Sequence, residues 1–147
     1  MYRYILFLLL SASPVSAWSH IDTVIASECR AHNVPFAIAE YVIAHESSWD
    51  VMAVGDDGAS VGLMQLQVRY LKWFADMFNS RVSFDPFDPF ESVRIGIRYL
   101  SWLHERYRDW WLALVAYNAG PGLVDRGIYP ASSQEYATSI MEAINEK

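Results

Sequence analysis

Apolar residues recur along most of this chain at intervals of three and four, the period of a helix with one buried face. Ile21, Val24, Ile25 and Cys29 share one face of a first segment that runs to Asn33. Pro35 stands where a first helical turn tolerates proline, and Phe36, Ile38, Ala39, Val42 and Ile43 carry a second apolar helix towards Glu46. Gly55-Asp56-Asp57-Gly58 reads as a turn. A further helix is expected over Leu66 to Phe78, entered from an extended Gly62 to Gln65 stretch. The segment Phe84-Asp85-Pro86-Phe87-Asp88-Pro89 then breaks the pattern.

Asp88, Pro89 and Glu91 supply a cap, a first-turn proline and an acid at the third position for a long helix. Val93, Ile97, Leu100, Leu103 and Tyr107 form its apolar stripe, with Arg94, Arg98, Glu105 and Arg106 on the wet side. Trp110 to Ala119 predicts a shorter helix that stops at Gly120-Pro121-Gly122. Ser132 with Glu135 reads as a capping box ahead of Tyr136, Ile140, Ala143 and Ile144. No strand pair or internal repeat stands out, so the predicted fold class is all-α.

The first 17 residues form a different pattern. Arg3 precedes an apolar run from Tyr4 to Leu10, and Val15-Ser16-Ala17 offers a small-residue exit, the signature of a secretory signal peptide. The run is shorter than the roughly 20 residues a bilayer requires. Residues 18–147 are then expected to be a single domain, exported to the periplasm or secreted, with no stable membrane span after cleavage. The lone Cys29 lies far beyond the apolar run, which argues against a lipid anchor, and one cysteine cannot close an internal disulfide. Cys29 falls on the apolar stripe of its helix and reads as a small buried side chain.

Composition narrows the function. A chain of 147 residues that is 53% hydrophobic and 15% aromatic is globular in character, and its net charge of −6 argues against nucleic acid as a partner. Removing Arg3 with the leader makes it more acidic still. No metal or cofactor is expected. A zinc-protease helix needs a second histidine four residues after the first, and after His45-Glu46 that position holds Trp49. Asp56 and Asp57 fit a solvated turn better than a calcium site.

The candidate chemistry lies in three pieces: His45-Glu46-Ser47-Ser48-Trp49, Gly62-Leu63-Met64-Gln65 and Ala116-Tyr117-Asn118-Ala119-Gly120. Glu46 ends an apolar helical run. Burial against aromatic surface and the negative end of a helix would both raise its pKa, which a carboxyl needs in order to act as a proton donor near neutral pH. On position alone a solvated helix-end glutamate is the favoured reading. The other pieces offer amides, a phenol and glycine-permitted backbone approaches, suited to a sugar. Each also has a structural reading: Met64 as core, Tyr117 as a packed ring, Asn118 as a helix terminator.

Glu46-Ser47, the Gly58-Ala59 pair before Gly62-Leu63-Met64-Gln65, the helix from Asp88-Pro89 to Tyr99-Leu100-Ser101, and Ala116-Tyr117-Asn118-Ala119-Gly120-Pro121-Gly122 stand in a telling order. That order and spacing resemble the lytic transglycosylases with a goose-type-lysozyme-like catalytic domain, over about Pro35 to Ile140. The resemblance implies a lysozyme-like helical domain whose substrate cleft binds peptidoglycan glycan strands. It implies that Glu46 protonates the oxygen between N-acetylmuramic acid and N-acetylglucosamine, then takes a proton from the muramyl C6 hydroxyl to leave a 1,6-anhydro end. With the sugar's own N-acetyl group stabilising the cationic centre, no second carboxylate is required, unlike the usual pair.

Gln65 and Asn118 would hydrogen-bond N-acetyl or hydroxyl groups, Tyr117 would position Glu46 or the sugar, and Met64 would wall the cleft. Tyr136 completes the implied substrate-binding set. The chain departs from the family pattern at Gly55, where serine is common, at Ser60-Val61 and Gln67-Val68, and at Ser132-Ser133, where the family often has glutamate and threonine. Goose-type lysozyme hydrolysis and a catalytically silent glycan-binding module are the alternatives. A short exported domain with no evident wall-anchoring module would suit local wall opening for a secretion or conjugation apparatus.

Overall fold

The computed structural model describes residues 15–78 and 85–145. Residues 1–14 of the expected leader lie outside that range. The first helix, α1 (Val15–His32), runs through the expected exit at Ala17 and ends where Asn33 turns left-handed at φ 53°. Its Ile21, Ile25 and Cys29 are buried along one face, as their spacing requires. Helix α2 (Phe36–Ser47) follows, with Ile38, Ala39, Val42 and Ile43 buried and Ser48 closing it in a left-handed cap at φ 50°. Phe36 departs from the expected core and is exposed.

Between α2 and the next helix the chain forms a small antiparallel sheet that the sequence reading did not contain. Strands β1 (Val54–Gly55), β2 (Ser60–Val61) and β3 (Leu66–Gln67) lie in the order β1-β2-β3, pairing Val54 with Val61 and Val61 with Leu66. Each strand has only two residues, too few to show an alternating pattern. The helix expected from Leu66 therefore starts later. A single 3₁₀ turn, Val68–Tyr70, leads into α3 (Leu71–Met77).

Helix α4 (Pro89–Tyr107) is the axis of the fold. Asp88 caps it as its sequence predicts, accepting from the Glu91 backbone N–H at 2.9 Å, while the Glu91 carboxylate accepts from the Asp85 N–H at 2.7 Å. Val93, Ile97, Leu100 and Leu103 are fully buried. Helix α1 packs against α4 and is tied to it by Arg94 and Arg98 reaching Glu28, and by the Ser101 hydroxyl donating to the His32 carbonyl at 2.8 Å. Helix α5 (Trp110–Ala119) packs between α4 and α7 (Ala131–Asn145), which explains why Ala113, Leu114, Val115 and Ala116 are buried consecutively rather than at intervals.

Gly120, at φ 92°, ends α5, and Pro121 opens the single turn α6 (Pro121–Val124). Helix α7 begins one residue earlier than the expected cap. Pro130 supplies its first acceptor, taking the N–H groups of Ser133 and Gln134 at 3.0 Å, so Ser132 and Ser133 lie inside the first turn. Among the described residues no helix is long and apolar enough to cross a membrane.

Candidate active site

A cleft of about 570 Å³ opens where the small sheet, α3, α4 and the α5–α6 junction meet. Glu46, Gln65, Tyr117 and Asn118 all line it, brought together from positions more than 70 residues apart in the chain. Glu46 sits in the last turn of α2. The left-handed residues Ser48 and Trp49, at φ 50° and 66°, turn the chain away immediately after it. The Tyr136 hydroxyl on α7 donates to Glu46 Oε1 at 2.7 Å.

Burial pushes the Glu46 carboxyl up to about 7. The Tyr136 hydrogen bond pulls the other way by stabilising the carboxylate, and the negative charge of nearby Asp56 adds a smaller upward push. Burial prevails. A group titrating there holds a proton at neutral pH in a useful fraction of molecules and can accept one back in the same cycle. Burial and the Glu46 charge raise the Tyr117 and Tyr136 phenols well above their usual value, so both remain donors.

The remaining candidate residues are placed unevenly. Gln65 adopts φ 45°, and its side-chain amide donates to the carbonyls of Gly62 at 2.9 Å and Ala53 at 3.2 Å. Its NH₂ group therefore braces the β1–β2–β3 turn, while the Oε1 atom lies against Gly55. A side chain at position 55 would meet that oxygen and displace the end of the Gln65 amide. The Tyr117 hydroxyl donates to the Met64 carbonyl at 2.7 Å, joining α5 to the sheet and leaving Tyr136 as the tyrosine on Glu46.

Met64 corrects the expectation of an apolar cleft wall. Its side chain is fully buried against Gly96 of α4 and is absent from the cleft lining. Tyr136 also lies off the lining and meets the site through the Glu46 carboxyl. Asn118 is exposed at the end of α5, where its Oδ1 accepts from the Ser133 hydroxyl at 2.6 Å. That bond fixes the amide of a residue that lines the cleft. Ser133, at the position of the threonine in the related pattern, thus holds the Asn118 amide in place.

By residue type Trp49, Trp73, Trp102, Trp110 and Trp111 could each stack on a sugar face, although helical spacing favours core for most of them. Trp73 and Trp102 belong to the cleft, whereas Trp49, Trp110 and Trp111 do not. Trp73 meets Trp102 edge-on at 5.6 Å, and Trp102 stacks on Tyr99 at 5.9 Å, with Tyr99 in turn 5.4 Å from Tyr117. Such a wall of ring faces and edges suits the apolar faces of a pyranose. Asp56 and the buried Ser60 also line the cleft, the Ser60 hydroxyl donating to Asp56 Oδ2 at 3.0 Å. Among the described residues no group of three histidine, cysteine or acidic side chains could hold a metal ion.

A helical scaffold with a protonatable carboxyl in an aromatic-walled groove defines the lysozyme-like class of helical domains. Residues 23–140 match the family described as "Transglycosylase SLT domain", and the chain belongs to that family. Among solved structures, an inactive mutant of the lytic transglycosylase Slt of Pseudomonas aeruginosa superimposes with a TM-score of 0.72 at 23% identity, covering 80% of this chain and 22% of that one. The 70 kDa soluble lytic transglycosylase of Escherichia coli gives 0.70 at 22% identity, over 85% of this chain and 25% of that one. A complex of the 70 kDa soluble lytic transglycosylase with bulgecin A gives 0.72 at 20% identity, over 85% and 25%. These likenesses are of fold.

A protein of Alteromonas sp. (strain M-1), provisionally named for tributyltin chloride resistance, is 31% identical over 110 residues. That match covers 71% of this chain and 49% of the relative, so the chain spans about half the length of the curated relative it matches.

Proposed function

We propose that this protein is a peptidoglycan lytic transglycosylase with Glu46 as its acid and base. The observation that carries the reading is Glu46 itself, a carboxyl raised to about 7 by burial and lining a cleft with side-chain amides and an aromatic wall. With a strand bound, the Glu46 carboxyl gives its proton to the oxygen joining N-acetylmuramic acid to N-acetylglucosamine. The muramyl C1–O bond breaks, and the N-acetyl oxygen of the same sugar stabilises C1. The Glu46 carboxylate then takes the C6 hydroxyl proton as O6 bonds to C1. No water is consumed, and the acid is regenerated.

Asn118 and the Gln65 Oε1 present hydrogen-bonding groups to the N-acetyl and hydroxyl groups, and Trp73, Trp102 and Tyr99 present ring surface to the sugars. Met64 and Tyr117 act from below, tying the sheet to α5 so that Gln65 and Glu46 stay in register. The protein would act outside the cytoplasm after losing its leader at Ala17, and N-terminal sequencing of the exported form should begin at Trp18.

Asp56 lines the cleft beside Glu46 and gives hydrolysis a specific route, with Asp56 activating a water. Mass spectrometry of digested peptidoglycan separates the two outcomes. Anhydro ends, lighter by one water than reducing ends, support transglycosylation, and reducing ends support the lysozyme reading. Glu46→Gln should abolish either cleavage, lowering turnover at least about a hundredfold, while the circular dichroism spectrum is retained. Undiminished turnover in that variant overturns the assignment of the acid.

A further inference from the structure

His45 immediately precedes the acid in the chain, and the proposed reaction gives it no part. Consecutive residues of a helix point about 100° apart around its axis, so two neighbours can grip a facing helix from two sides. His45 and Glu46, in the last turn of α2, both reach Tyr136 on α7. The Tyr136 hydroxyl donates to Glu46 Oε1 at 2.7 Å, and its ring meets the His45 imidazole edge-on, with centroids 5.5 Å apart and planes at 72°.

The imidazole is itself anchored. Ser139, one turn along α7 from Tyr136, places its Oγ 3.2 Å from His45 Nε2. The same hydroxyl donates to the Tyr136 carbonyl at 2.9 Å, which uses its one hydrogen. The bond to the imidazole therefore runs the other way, with His45 Nε2 donating to Ser139 Oγ. A neutral ring protonated on Nε2 and a doubly protonated ring both carry that hydrogen, so the anchor holds in either state. His45 is exposed, so its ring does not serve to fill the core.

We infer that His45 is a positioning residue for the acid: anchored by Ser139, its imidazole holds the Tyr136 ring and with it the direction from which the phenol reaches Glu46. The inference rests on the reading of Glu46 as the acid and base. One hydrogen bond between a phenol and a carboxylate leaves the ring free to swing about it, and a second contact on the ring removes that freedom. A carboxyl whose partner swings loses rate rather than affinity, because its proton must be aimed at the glycosidic oxygen.

Steady-state kinetics of the full chain on peptidoglycan glycan strands tests this. His45→Ala should lower kcat by about tenfold and leave KM within about twofold. In a Tyr136→Phe background, where no hydroxyl is left to position, the same substitution should change kcat by less than about twofold. An unchanged kcat in His45→Ala overturns the inference, as does a loss confined to KM. So does a kcat loss of the same size in the Tyr136→Phe background, which would make His45 only a brace between α2 and α7. Each of these outcomes leaves the proposed activity standing. Full turnover in Glu46→Gln, or no cleavage by wild type, overturns the reading on which the inference rests.

Discussion

Glu46 is held by opposed influences, and their balance is open to measurement. Burial raises its pKa, whereas the hydroxyl of Tyr136 lowers it by donating to Oε1. Removing that donor in Tyr136→Phe should move the alkaline limb of the pH–rate profile to higher pH, because the carboxylate loses a stabilising partner. The maximum rate should fall as the carboxyl loses its orientation. A limb that stays in place or moves to lower pH would show that the phenol does not govern the acid. Gln65 and Asn118 differ from Glu46 in how they reach their geometry. Each uses one end of its amide on the protein, Gln65 on the Gly62 and Ala53 carbonyls and Asn118 on Ser133, and each lines the cleft.

The short sheet holds the site together through two glycines. Gly62, at φ +78°, turns the chain from β2 towards Met64, and a Cβ there would strike the carbonyl oxygen of Pro86 on the backbone before α4. Gly96 of α4 leaves room for the Met64 side chain. Backbone yields less than the thioether of a methionine, so the two substitutions should differ. Gly62→Ala should cost more than about 3 kcal/mol or prevent folding, and Gly96→Ala about 1–3 kcal/mol. Urea unfolding measures both, and a reversed order would contradict the packing. Gly62-Leu63-Met64-Gln65 was legible as a motif, yet the strands around it were not. Two-residue strands are stabilised by tertiary support for Gly62 and Gln65, which local propensity does not register. The helices, by contrast, followed their apolar spacing. Their ends did so where a side chain does the capping, at Asp88, and failed at Ser132, where a proline carbonyl took that part.

Across the molecule, the cleft sets a cost on stability that varies with pH. The folded state raises the Glu46 pKa to about 7, so between the ordinary carboxylate range and that value it retains a proton that the unfolded chain has released. Stability linked to this group is therefore complete at low pH and falls as pH rises through about 7. Glu46→Gln removes the titration. Its stability relative to wild type should rise from pH 4 to pH 8 by at most on the order of 3 kcal/mol, read from urea melts at each pH. A difference that does not change with pH would mean that the carboxyl is not desolvated in the folded protein.

The amino-acid order alone specified the helices, the cap at Asp88, the breaks at Asn33 and Gly120, and the motifs that carry the family match. These depend on neighbours three or four residues away, where period and capping chemistry act. It did not specify which tyrosine holds Glu46, that Met64 lies beneath the cleft, that Trp73 and Trp102 wall it, or that Ser133 orients Asn118. Those pairings join residues separated by 15 to 90 positions. They exist because α4 and α5 pack as they do and bring the sheet, α2 and α7 to one groove, and a one-dimensional pattern carries no record of that angle or register.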